Sequence, residues 1–145
     1  MKNIKNLLAE NRTILSTAIA FGKAHRTTET VFDPTLSSNG LTPAQFGVLE
    51  ALYSKGNLRI HELIDAVLTT SGNITVVLKN MERNSWISKT QDHEDKRACI
   101  ISLTKEGTEL IESVLPYHIK DVISVFGRLT EDEQATLREL LKKLE

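Results

Sequence analysis

Two groups of side chains in this chain are of types that handle phosphate and base edges. Thr70, Ser71, Asn73, Thr75 and Lys79 crowd one short stretch, and Lys89, His93, Asp95, Lys96 and Arg97 a second. Hydroxyl, amide and ammonium groups at the head of a helix, beside its unsatisfied N–H groups, can hold phosphate oxygens and reach the edges of bases. The same types are good helix caps, so Thr70, Ser71 and Asn73 suit either purpose. The charged run Asp92-His93-Glu94-Asp95-Lys96-Arg97, taken by itself, also has the composition of a solvated hairpin tip.

Other chemistries find less support. The four histidines, at 25, 61, 93 and 118, include no pair at the three- or four-residue spacing that puts two ligands on one helix face. Cys99 is the only cysteine, which excludes an internal disulfide and a cysteine-based metal cluster within one chain. Cys99 reads as a small buried hydrophobe, with a reactive thiol as the alternative. There is no phosphate-binding loop, no nucleophile elbow and no convergent carboxylate pair, so neither catalysis nor a cofactor is expected. The first residues lack an unbroken apolar segment before a cleavage site, which predicts a cytoplasmic chain. The 145 residues, 40% hydrophobic and 26% charged, describe one folded domain with no membrane span. The net charge of −1 conceals a gradient. Residues 55–105 carry eight Lys/Arg against six Asp/Glu, whereas residues 106–145 carry five against nine. A surplus of that size turns into a nucleic-acid surface only if the charges share one face of a dimer.

The elements that position these groups follow from periodicity. Ile4, Leu7, Leu8, Leu15, Ala18, Ile19 and Gly22 predict one long helix from residue 3 to about 31. Asp33-Pro34 then reads as the start of a separate short piece ending at Asn39-Gly40. Thr42-Pro43-Ala44-Gln45 is a capping box with proline at the first helical position, opening a helix that Gly56 stops. Residues 60–67 make a short helix with a poor cap, because Arg59 precedes it. Thr69-Thr70-Ser71-Gly72-Asn73 then leads into a helix whose Ile74, Val77, Leu78 and Met81 share one face. Two short helices joined by a tight link have the form of a helix-turn-helix. Trp86-Ile87 begins an extended segment, and Ala98–Leu103 alternates as a strand, which together make a hairpin. Thr104 caps a long helix that Pro116 should kink, and Thr130 with Glu133 opens the last one. Both chain ends carry more apolar surface than one copy can cover, and a second copy would bury it.

This order of elements resembles the MarR family of winged-helix transcriptional regulators. The stretch Leu41-Thr42-Pro43-Ala44-Gln45-Phe46-Gly47-Val48-Leu49 resembles the opening of that family's second helix. Asp95-Lys96-Arg97, then a hydrophobic strand, then Leu103-Thr104-Lys105-Glu106-Gly107 resembles its wing signature. Leu129-Thr130 with Glu133 and the closing leucines resembles its last helix, so the likeness covers roughly residues 5–144. Within the family, Gly72-Asn73-Ile74-Thr75 and Leu115-Pro116-Tyr117-His118 are most similar to regulators of quinone and phenol resistance. Two departures stand out. Ser85 occupies the place of the family's glycine after the recognition helix, and Asn84 before it is the residue expected to accept the left-handed backbone. Residues 1–40 hold no cysteine, so the thiol mechanism of the family's peroxide sensors cannot operate here.

The resemblance implies a mainly α fold with a small β-hairpin wing, a winged helix-turn-helix between long N- and C-terminal dimerisation helices. The single domain would comprise dimerisation helices at 1–38 and 105–145 and a DNA-binding lobe at 41–104. It implies a homodimer on double-stranded DNA, a pseudo-palindromic operator, and repression relieved by a small aromatic, phenolic or quinone-like effector. Thr70, Ser71, Asn73, Thr75 and Lys79 would then contact DNA from the recognition helix. Arg97 would enter the minor groove with its guanidinium held by Asp95, while Lys89, His93 and Lys96 faced phosphates. Phe21, His25, Phe46, Tyr53 and His118 would line the effector site, against ordinary core packing for any one of them. A protein-interaction module that kept the winged fold without binding DNA, and a zinc-responsive regulator, are the alternatives.

Overall fold

In the computed structural model, residues 3–67 and 71–145 are described. Thr70 lies outside them, as does the side chain of Ser71. Two compact units are formed: one is Asp33–Asp121, and the other takes the chain ends, up to Phe32 and from Val122.

The middle unit carries the buried core. Helix α3 (Pro43–Lys55) starts at a complete capping box. The Thr42 N–H donates to Gln45 Oε1 at 3.0 Å and the Gln45 N–H to Thr42 Oγ1 at 3.2 Å, satisfying two donors the helix would otherwise leave open. Strand β1 (Leu58–Arg59) leads into α4 (Ile60–Ala66), and α5 (Ser71–Arg83) follows. The hairpin strands β2 (Ile87–Gln91) and β3 (Cys99–Leu103) precede α6 (Lys105–Phe126). The sheet is antiparallel with order β1-β3-β2, and its register sets Leu58 and Lys89 on either side of Ile101. Val48, Leu49, Leu63, Ile74, Leu78, Met81, Ile101, Ile111 and Val114 are fully buried, so α3, α4, α5, β3 and α6 all place side chains at the centre, and Leu36, together with Ile87 of β2, is buried against them. β1 extends the expected hairpin to three strands; at two residues it is too short for any periodic signal. The helix after it is also better capped than Arg59 promises, because the Glu62 carboxylate accepts the Arg59 N–H at 2.7 Å.

The N-terminal helices differ from the expected division. Residues 3–31 are not one helix: α1 (Ile4–Glu10) ends at Asn11, and α2 runs Arg12–Ser38. The Asn11 side chain donates to the Leu7 carbonyl at 2.8 Å, the local competition with backbone bonding that ends helices at asparagine. Pro34, by contrast, starts no new piece and lies inside α2. Its ring costs the helix one donor, and the turn after it is anchored: Leu36 is buried and the Thr35 hydroxyl donates to Asp121 Oδ2 at 2.5 Å. Gly40, at φ 71°, then closes α2 by accepting the left-handed conformation. The Leu41 N–H reaches the Leu36 carbonyl at 3.0 Å, and both side chains are buried.

In the other unit, the Thr130–Glu133 capping box opens α7 (Glu131–Lys142) as the sequence predicts. α6 contains Pro116 within one continuous helix. Ile4, Leu7, Leu8, Ile14, Ile19 and Phe21 stand exposed, and Leu129, Leu137 and Leu140 line a shallow apolar groove. No described helix is long and apolar enough to cross a membrane.

Candidate nucleic-acid interface

Helix α5 is amphipathic in the sense its sequence predicts. Ile74, Val77, Leu78 and Met81 enter the core, while Asn73, Thr75, Val76, Lys79 and Arg83 are exposed. α4 packs on its other side, which makes the pair a helix-turn-helix with α5 as its outward element.

The end of α5 is fixed by its link to the wing. The Ser85 N–H donates to the Glu82 carbonyl at 2.9 Å and the Trp86 N–H to the Met81 carbonyl at 3.0 Å, the paired bonds of a Schellman motif. Asn84, just past the end of α5, still donates its N–H to the Asn80 carbonyl at 3.1 Å, and Ser85 rather than Asn84 takes the left-handed conformation at φ 60°. The expectation for Asn84 therefore fails by one residue, because the motif assigns that conformation to the residue before Trp86, whatever its side chain. Thr104 joins this turn to α6. Its hydroxyl donates to the Ser85 carbonyl at 2.6 Å and accepts the Gly107 N–H at 3.0 Å, and its own N–H donates to the Trp86 carbonyl at 3.1 Å. A Cβ on Gly107 would lie 2.0 Å from the Trp86 oxygen. The Leu-Thr-x-x-Gly motif is thus a junction: threonine ties three segments and glycine makes room for the approach.

The wing tip is pinned at its base by Asp92, which the sequence reading passed over. Asp92 is 5% exposed, accepts the Glu94 N–H at 2.9 Å and pairs with the Arg59 guanidinium at 2.5 Å. The Glu94 amide, more than the Arg59 charge, holds its carboxyl below the ordinary value against the opposing effect of burial. The Gln91 amide donates to the Lys96 carbonyl at 2.7 Å, closing the tip. Only the acidic start of the charged run hinted at this, since Arg59 comes from a remote stretch of sequence.

Several assigned roles change. The Asp95 carboxylate accepts the Arg97 backbone N–H at 3.0 Å rather than gripping its guanidinium, so it shapes the turn and leaves the arginine head outward. Lys89, expected to face phosphate, pairs with Glu82 at 3.5 Å. Cys99 is exposed although it alternates with the fully buried Ile101, because it pairs with Gln91 at the tip end of the hairpin, beyond the core. His93, Lys96 and Arg97 are exposed at the tip. Among the described residues, Lys79, Lys96 and Arg97 take part in no ion pair.

The five expected effector-site residues fall into different settings. The Phe46 and His118 rings meet with centroids 4.5 Å apart, Phe46 being buried. Tyr53 is exposed and its hydroxyl donates to Glu112 at 3.0 Å; that bond, then the carboxylate's charge, raises its pKa. Phe21 and His25 belong to the other unit and are exposed, with the His25 imidazole 3.3 Å from Glu29. Among the described residues no group of three or more His, Cys, Asp or Glu could hold a metal ion.

Comparison with known proteins agrees with this architecture. Residues 41–99 match the MarR family. The HTH-type transcriptional regulator YkoM of Bacillus subtilis (strain 168) is 37% identical over 105 residues, which span 72% of this chain and 68% of that protein. The MarR family regulator Sco3205 of Streptomyces coelicolor, solved in complex with DNA, superposes with a TM-score of 0.81 at 26% identity, covering 94% of this chain and 86% of that one. BpsR of Bordetella bronchiseptica, whose DNA binding is regulated by 6-hydroxynicotinic acid, gives a TM-score of 0.77 at 25% identity over 89% and 98% of the two chains. An outward polar helix, a pinned wing that carries Lys96 and Arg97 at its tip, and this likeness together establish that the chain belongs to the MarR family of winged helix-turn-helix, DNA-binding transcriptional regulators.

Proposed function

We propose that the chain is a cytoplasmic, homodimeric repressor of a pseudo-palindromic operator, released by a small aromatic, phenolic or quinone-like molecule. Asn73, Thr75 and Lys79, with Ser71 and, before it in the sequence, Thr70, meet bases and phosphates in the major groove. Arg97 enters the adjoining minor groove, while Lys89, His93 and Lys96 face phosphates. The residue ranges 1–38 and 105–145 supply the dimer contacts, for which the exposed apolar side chains of α1, α2 and α7 provide surface. Two copies of α5 then address half-sites about 10 base pairs apart. The observation that carries this reading is that, among the described residues, Lys79 on α5 and Lys96 and Arg97 on the wing take part in no ion pair, beside a wing base locked by Asp92.

Release requires an effector that prefers the arrangement unable to bind DNA. The Phe46–His118 pair, its rings 4.5 Å apart and Phe46 buried, supports an aromatic ligand by the chemistry of the neighbourhood, an aromatic ring beside an imidazole. BpsR, with its hydroxylated aromatic acid, shows the kind of molecule a relative answers to.

The test is Arg97→Ala, measured on a duplex that the wild-type protein selects from a random pool. Binding should weaken roughly 10- to 100-fold at fixed salt while the melting temperature stays in place. The wild-type affinity should fall with salt at a slope of about 0.9 per phosphate contacted. A variant that binds as tightly as wild type at the same salt refutes the wing's role. A wild-type protein with no salt-sensitive attachment to any duplex would instead favour the protein-interaction module.

A further inference from the structure

Among the described residues between 54 and 116, one large apolar side chain is exposed: Val76, at 57%. It lies about 200° round α5 from the buried Ile74, on the side facing away from the core. Its neighbours on that side are polar. Thr75 and Lys79 are exposed, and one turn on, Asn80 accepts a hydrogen bond from the Arg83 guanidinium at 3.2 Å. Folding does not explain a valine there, since it packs against no core residue and a β-branched side chain slightly disfavours the helix.

We infer that Val76 reads a thymine methyl group, making it a specificity-determining residue of the recognition helix. The inference rests on the proposal that α5 enters the major groove. An isopropyl group in that groove can neither donate nor accept a hydrogen bond. Against guanine, adenine or cytosine it covers polar edges and leaves them unsatisfied. Thymine alone presents an apolar feature there, its C5-methyl, so this position of the helix favours thymine by contact and rejects the other bases by desolvation. Asn73, Thr75 and Lys79 meanwhile supply the hydrogen bonds to neighbouring positions.

The experiment exchanges each thymine of the selected duplex for deoxyuridine, symmetrically in both half-sites, which removes methyl groups and nothing else. Dissociation constants are measured at fixed salt by fluorescence anisotropy. One symmetric pair of thymines should lose about fourfold per methyl, or about fifteenfold for the pair. Val76→Ala should flatten the response at that pair alone, and Val76→Thr, which keeps one methyl, should fall between. Melting temperatures show whether these exposed-site variants remain folded. A wild-type scan with no sensitive thymine overturns the inference, as does a sensitive pair that stays equally sensitive in Val76→Ala. Failure of the wild-type protein to select any duplex is a separate result, and it removes the groove assignment itself.

Discussion

Gly107→Ala tests whether the junction between recognition helix, wing and α6 is as tight as its geometry implies. The new Cβ would sit 2.0 Å from the Trp86 carbonyl oxygen, against an ordinary C···O contact of about 3.3 Å. Backbone must therefore retreat by about 1 Å, and no flexible side chain can absorb the move. Three hydrogen bonds converge there: Thr104 N–H to the Trp86 carbonyl, the Thr104 hydroxyl to the Ser85 carbonyl, and Gly107 N–H to the Thr104 hydroxyl. Each contributes about 1 kcal/mol, and overpacking costs about 1–3 kcal/mol more. Alanine's better helix propensity returns roughly 1 kcal/mol. The net cost is about 3–5 kcal/mol, a large share of the stability of about 5–15 kcal/mol typical of a domain. For a chain of this size that lowers the melting temperature by on the order of 10–15 °C. Far-UV circular dichroism against temperature and against urea gives the reading. A variant melting within a degree or two of wild type would show that the junction opens freely and that the glycine is not sterically required. Ser85→Gly is the matched control on the same turn. It relieves a left-handed backbone at φ 60° and should raise stability by up to about 1 kcal/mol.

Two further expectations concern the wing and the dimer. The carboxyl of Asp92 has its pKa lowered in the folded chain, so its contribution is present above the unfolded value near about 4 and is lost as pH falls through the folded one. Urea midpoints of wild type should therefore fall more steeply on acidification below about pH 4 than those of Asp92→Asn, which starts lower at neutral pH; parallel profiles would remove the carboxylate's role. Replacing Leu137, Leu140 and Leu141 by polar residues should convert dimers to monomers in analytical ultracentrifugation and abolish operator binding. Monomers that still bind tightly would contradict the half-site argument.

The sequence by itself determined what depends on neighbours three or four residues apart. The Thr42–Gln45 and Thr130–Glu133 boxes, the buried face of α5 and the two hairpin strands all lie where their spacing puts them. Such signals are legible because both partners occupy one turn or adjoining pleats, so the chain carries them wherever it folds. Tertiary structure decided the rest. Pro34 stays helical where Leu36 and Thr35 anchor the following turn, and Leu58–Arg59 becomes a strand only because β3 offers it an edge. Asp92 becomes the base of the wing because Arg59 arrives from another element, and Lys89 on β2 meets Glu82 on α5. Cys99, placed inside by alternation, is outside because the core ends before the hairpin does. In each of these cases the deciding partner is distant along the chain, and an ion pair, a strand edge or the limit of a core exists only after folding has brought the two segments together.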